Sequence, residues 1–143
     1  MIYRLRRLRQ SAAMRELVAE ADMRAKHFIM PYFVVAGKKQ VQPIATLDGV
    51  SRLSVDTLLP ELEKALKLGI RSVMLFGVLD SAHKDGQGSL AADPEGPVNQ
   101  ALKEAKRHFG QDLVLMTDVC LCGYTTIMVI VGLSLKELKG PRR

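Results

Sequence analysis

Ser72-Val73-Met74-Leu75-Phe76-Gly77-Val78-Leu79 is uncharged and, apart from Ser72 and Gly77, wholly apolar. A run of this length and character reads as a strand covered on both faces, the pattern of a parallel sheet packed between other elements. Upstream of it, Leu58, Leu59, Leu62, Ala65, Leu66 and Leu68 recur at helical spacing behind Ser54, an N-cap candidate, and Gly69 follows as a C′ residue. Further upstream, Phe28 to Val35 is a β-rich apolar run, a strand despite Pro31 near its start, ended by Gly37-Lys38-Lys39. Asp48-Gly49 is a turn signal. Downstream, Asp80 to Pro97 is a Gly-, Asp- and Pro-rich loop. A second helix follows from about Pro97 to His108, with Val98, Ala101, Leu102, Ala105 and Phe109 on one side, and Leu113 to Val119 is a third strand. Strand, helix, strand, helix, strand is the βαβαβ signature of an α/β fold with a parallel sheet. Such folds place their sites on the loops after the strands, here the loop after Leu79 and the segment after Met116.

The 143 residues have the length of one domain, and 48% hydrophobic content can fill a core that, without Trp and with 5% aromatics, is aliphatic. The net charge of +6 is unevenly placed. Arg4, Arg6, Arg7 and Arg9 lie in the first ten residues, and Lys136, Lys139, Arg142 and Arg143 face only Glu137 in the last ten. Between these tails 13 basic side chains meet 14 acidic ones, so no domain-wide footprint for nucleic acid exists. The Arg-rich start, with Ser11 to Glu20 as a short helix, reads as a solvated or partner-wrapping arm, with a mitochondrial presequence as the alternative. The longest apolar stretch, Val119 to Leu135, is broken by Gly, Tyr, Thr and Ser and falls short of the roughly 20 residues of a membrane span. No Walker loop is present, and Gly86-Gln87-Gly88 lacks the third glycine of a dinucleotide fingerprint.

Chemistry concentrates in Thr117-Asp118-Val119-Cys120-Leu121-Cys122, which closes the third strand and holds both cysteines. If the strand continues this far, Asp118, Cys120 and Cys122 project from one face. A carboxylate and two thiols at a strand end suggest a soft-metal site, zinc first. The bland alternative is a pair of small buried hydrophobes. The metal site is incomplete, because no cysteine or histidine follows Cys122.

Several segments together resemble the porphobilinogen synthase (δ-aminolevulinic acid dehydratase) family. They are Arg4-Leu5-Arg6-Arg7-Leu8-Arg9, Phe28-Ile29-Met30-Pro31-Tyr32-Phe33-Val34, Asp48-Gly49-Val50-Ser51-Arg52-Leu53-Ser54, Leu68-Gly69-Ile70, Leu75-Phe76-Gly77-Val78, Lys84-Asp85 and Thr117 to Thr125. The resemblance implies an incomplete (β/α)8 TIM-type barrel, of which this chain holds the first three or four parallel strands. It divides the chain into an N-terminal arm (1–27), the first βα units (28–126) and a tail (127–143). It further implies a cytoplasmic lyase of haem biosynthesis that joins two molecules of 5-aminolevulinate into porphobilinogen with loss of water. Zinc is the implied metal, with magnesium as a further candidate. Cys120 and Cys122 would be metal ligands and Asp118 an active-site residue. The arm would embrace a neighbouring subunit in a homo-octamer, and neither nucleic acid nor membrane is an expected partner.

The tail departs from the family. There a third cysteine follows in a His-Gly-His-Cys-Gly run, whereas this chain reads Ile127-Met128-Val129-Ile130-Val131-Gly132. Codons of the form CAY GGN CAY TGY GGN, read one base to the right, become AYG GNC AYT GYG GN, which can encode Met-Val-Ile-Val-Gly. That is residues 128–132 as they stand. The expectation is a reading frame that slips just before residue 127 and an out-of-frame peptide ending at an accidental stop; a diverged strand with a basic tail is the alternative. The family's two Schiff-base lysines lie in the second half of its barrel, and no lysine here matches them, Lys84 included. The alternative function is therefore a catalytically inactive truncated remnant, at most a weak zinc-binding or subunit-interaction fragment.

Overall fold

The computed structural model describes residues 6–126, together with the strand assignments of Val129–Ile130 and Leu133–Ser134. The expectation of an out-of-frame peptide over 127–143 falls largely outside the described residues. Helix α1 (Ala12–Leu17) is shorter than the expected span. Ser11 caps it by accepting the Met14 N–H at 3.1 Å, but the helix buries none of its residues. A six-residue helix has little stability of its own, so without a packed face it ends early.

Five strands form one sheet: β1 (Ile29–Val34), β2 (Val41–Pro43), β3 (Ser51–Leu53), β4 (Ser72–Gly77) and β5 (Val114–Thr117), in the order β2-β3-β1-β4-β5. β1, β4 and β5 are the three expected strands, and they lie side by side and parallel. β3 also runs parallel to β1, while β2 turns back antiparallel along β3. The β2–β3 pair is an addition to the expected βαβαβ order. Its turn passes through Asp48-Gly49, where Gly49 adopts φ +75°, a region that only glycine enters at no steric cost.

Helices α2 (Val55–Lys67) and α3 (Pro97–Phe109) cover one face of the sheet. Leu58, Leu62 and Ala65 of α2 and Val98, Ala101, Ala105 and Phe109 of α3 bury their stripes against Tyr32, Val34, Val73 and Leu75. Val73 and Leu75 alternate with half-buried Ser72, Met74 and Phe76 on the opposite face. Among the described residues, helices therefore cover one side of the continuous apolar run, and the other side is half-buried. The other face is apolar all the same, with the rings of Phe33 and Phe76 centred 5.6 Å apart.

Local chemistry explains the helix ends. Gly69, at φ +85°, donates to Leu66 O at 2.9 Å, and Ile70 donates to Ala65 O at 3.0 Å, the two bonds of a Schellman stop. Pro97 opens α3 where its missing N–H is not needed. Ser54 occupies the N-cap of α2, yet its hydroxyl does not cap the helix. It accepts the Gln40 N–H at 2.9 Å and donates to Asp56 Oδ1 at 2.6 Å, tying β2 to the helix start.

Candidate functional site at the C-terminal sheet edge

The loop after β4 and the segment after β5 meet at the C-terminal edge of the sheet. The ladder extends one residue past β5, where Asp118 N–H donates to Leu75 O at 3.4 Å. Asp118 is exposed, and beyond it regular pairing stops. Cys120 keeps an extended backbone (φ −113°, ψ 128°), and Leu121–Gly123 then wind into a 3-10 turn. The strand, expected to reach Val119, ends at Thr117, so the condition for Asp118 and both thiols to share one face of a pleat is not met. The turn itself brings the thiols together. Cys122 N–H donates to Cys120 Sγ at 3.4 Å, so the first cysteine caps the turn that carries the second.

The cause of the turn lies across the sheet edge. Tyr124 is 92% buried, having 8% relative exposure, and it packs over Gly77 at the end of β4. A Cβ at Gly77 would overlap the Tyr124 hydroxyl and come within 2.7 Å of its Cζ and 2.9 Å of Val98 Cγ2. A Cβ at Gly123 would meet Gly77 O at 2.9 Å. Two glycines therefore let the thiol segment lie directly on β4, and burial of the tyrosine offsets the loss of strand pairing. Gly77→Ala is expected to expel Tyr124, at about 1–3 kcal/mol of overpacking. Amide exchange over residues 121–126, followed by mass spectrometry at low micromolar concentration, should accelerate about ten- to a hundredfold in that variant.

Both cysteines are exposed and no disulfide joins them. The neighbouring Cys120, through a hydrogen bond and then its charge, pushes the Cys122 thiol above its ordinary range, and Asp118 adds to this. Burial, and then Asp118, raise the Tyr124 phenol in the same way. Asp118 is thus near enough for its charge to act on both the Cys122 thiol and the Tyr124 phenol. Even so, no group of three His, Cys, Asp or Glu side chains able to hold a metal occurs among the described residues. Two thiols and one exposed carboxylate do not complete a zinc centre. The buried position of Tyr124 and the need for glycine at 77 were not foreseen, because both depend on a contact between residues 47 positions apart.

A mostly parallel α/β sheet with its thiols at the C-terminal edge defines the class, a protein built like an enzyme of the parallel-sheet type. Residues 2–129 match the family described as Delta-aminolevulinic acid dehydratase. The chain belongs to that family. It is 43% identical over 122 residues to the Delta-aminolevulinic acid dehydratase of Staphylococcus aureus, covering 85% of this chain and 37% of the relative. To that of Bacillus subtilis it is 41% identical over 122 residues, with the same shares covered. The crystal structure of delta-aminolevulinic acid dehydratase (porphobilinogen synthase) from Toxoplasma gondii, in complex with the reaction product porphobilinogen, superposes with a TM-score of 0.81. It is 33% identical, and the match covers 89% of this chain and 36% of that one. The chain thus spans a little over a third of the length of the relatives it matches.

Proposed function

We propose that residues 28–126 are the first βα units of a porphobilinogen synthase barrel, preceded by an arm over residues 1–27. In this reading the apolar, half-buried face of the sheet is the barrel interior. The whole enzyme condenses two molecules of 5-aminolevulinate to porphobilinogen with loss of water, as a cytoplasmic step of haem biosynthesis. The observation that carries the reading is the family match over residues 2–129, with the cysteine segment placed at the edge where parallel barrels put their chemistry. No helix among the described residues is long and apolar enough to cross a membrane. The exposed N-terminal segment, with Leu17 78% exposed, suits an arm that buries itself on a neighbouring subunit of a homo-octamer.

Cys120 and Cys122 are the proposed metal ligands, with Asp118 beside them in the site. Zinc suits thiolates; magnesium prefers oxygen donors and would have to bind elsewhere. Two thiols with water and a carboxylate make an open, labile centre. Titration of residues 1–143 against a competing chelator should therefore show weak zinc binding that Cys120→Ser and Cys122→Ser each abolish. Tight stoichiometric zinc that survives Cys120→Ser would contradict the assignment.

A second reading concerns this polypeptide rather than the family, namely that the reading frame slips before residue 127. It is favoured by the one-base relation between Met128–Gly132 and His-Gly-His-Cys-Gly, and the family match running out at residue 129 accords with it. On this reading residues 1–143 are a catalytically inactive remnant that retains the two thiols.

A further inference from the structure

The loop after β4 contains a turn whose connections lead to the thiol segment. Asp85 Oδ1 accepts the N–H groups of Gln87 at 2.9 Å and Ser89 at 3.1 Å, curling residues 85–89 around one carboxylate. The Ser89 hydroxyl and these N–H groups hold that carboxyl below its usual range. Gly88 closes the turn at φ +66°, a left-handed conformation natural to glycine. Gly88 is buried beneath its neighbours across the gap, since a Cβ there would lie 3.1 Å from Thr125 Cγ2, 3.4 Å from Leu121 Cδ2 and 3.5 Å from Tyr124 Cβ. The Asp85 backbone completes the link by pairing with Thr125 in a parallel bridge and accepting the Thr126 N–H at 3.0 Å. Thr125 in turn donates its N–H and its hydroxyl to Leu121 O, at 3.0 and 3.1 Å, closing the turn that holds Cys122. At its other end the loop is tied down separately by Asn99 Nδ2, which donates to Asp93 O at 2.7 Å and Ala91 O at 3.3 Å.

We propose that Asp85 is a positioning residue for the Cys120–Cys122 pair: its carboxylate shapes the 85–89 turn, and the turn clamps residues 121–126 in the geometry that presents both thiols. The metal consequence rests on the ligand reading above; the clamp itself does not. A neutral acceptor of the same shape can serve, because the two bonds from Gln87 and Ser89 need an oxygen rather than a charge. Asp85→Ala removes the oxygen that accepts both bonds, while Asp85→Asn keeps an amide oxygen in its place.

The test compares residues 1–143 with Asp85→Ala and Asp85→Asn by amide hydrogen exchange at low micromolar concentration, alongside cobalt(II) titration of the thiolate absorption band. Asp85→Ala is expected to speed exchange over 122–126 by about tenfold, with β4 unchanged, and Asp85→Asn to stay close to the parent. Cobalt affinity should fall by about ten- to a hundredfold in Asp85→Ala and recover in Asp85→Asn. Unchanged exchange in Asp85→Ala, or equal acceleration of β4, would overturn the clamp. A parent chain that takes up no cobalt would defeat the ligand reading alone, while the exchange comparison still decides the clamp.

Discussion

Purified residues 1–143, incubated with 5-aminolevulinate and zinc, should form no more porphobilinogen than a buffer blank. The family reaction, as the resemblance implies, binds substrate covalently through two lysines of the second half-barrel. A protonated imine is an electron sink that neither the thiol pair nor Asp118 can replace. Lys84 lies at the correct sheet edge, in the loop after β4, but belongs to a different part of the family pattern. Enzymes typically accelerate their reactions by at least about a millionfold, so losing the covalent step removes activity rather than trimming it. Colour formation with an aldehyde reagent measures the product directly. Colour that scales with chain concentration would mean that this polypeptide holds a catalytic group of its own.

The second large effect concerns solution behaviour. β5 has β4 on one side and no further partner among the described residues, and Val114 in it is 53% exposed. At the other flank β3 reaches only Phe33 and Val34 of β1, which leaves Ile29–Tyr32 with β4 alone. A groove of about 510 Å³ opens there, lined by Met30, Phe33, Val41, Leu47 and Val50 among others. Unpaired parallel edges beside apolar surface are templates for association, and a closed barrel removes them. Ile127 to Val131 adds a β-branched, uncharged run without proline. Residues 1–143 should therefore self-associate at about 100 μM, as heterogeneous species in light scattering coupled to gel filtration. A monodisperse monomer with a cooperative thermal transition would show a self-sufficient domain, and the remnant reading would then fail.

The parts of the fold that were legible are those decided locally. Gly69 ends α2 through two bonds within six residues, and the three long strands announce themselves by apolar runs. β2 and β3, at three residues each, are too short to show a period, and they exist because they pair with each other and with β1. Ser54 stands at the predicted N-cap, but its hydroxyl is taken by Gln40, the residue that leads into β2, a partner that spacing cannot reveal. The site divides in the same way. The thiol pair and Asp118 were visible as residue types, and their location at the C-terminal edge followed from the parallel order. The turn that joins the thiols was hidden, because it depends on Tyr124 lying against Gly77 and on the Asp85 turn pressing from the neighbouring loop.

The coding DNA across codons 124–132 tests most directly the proposal that this member of the delta-aminolevulinic acid dehydratase family has its frame displaced before residue 127. Codons 128–132 should read ATG GTC ATT GTG GGN, and the neighbouring frame should spell His-Gly-His-Cys-Gly and run on into an open sequence carrying the remaining strands and both lysines. Codons that encode Met128 to Gly132 but yield no such run in either other frame would contradict it.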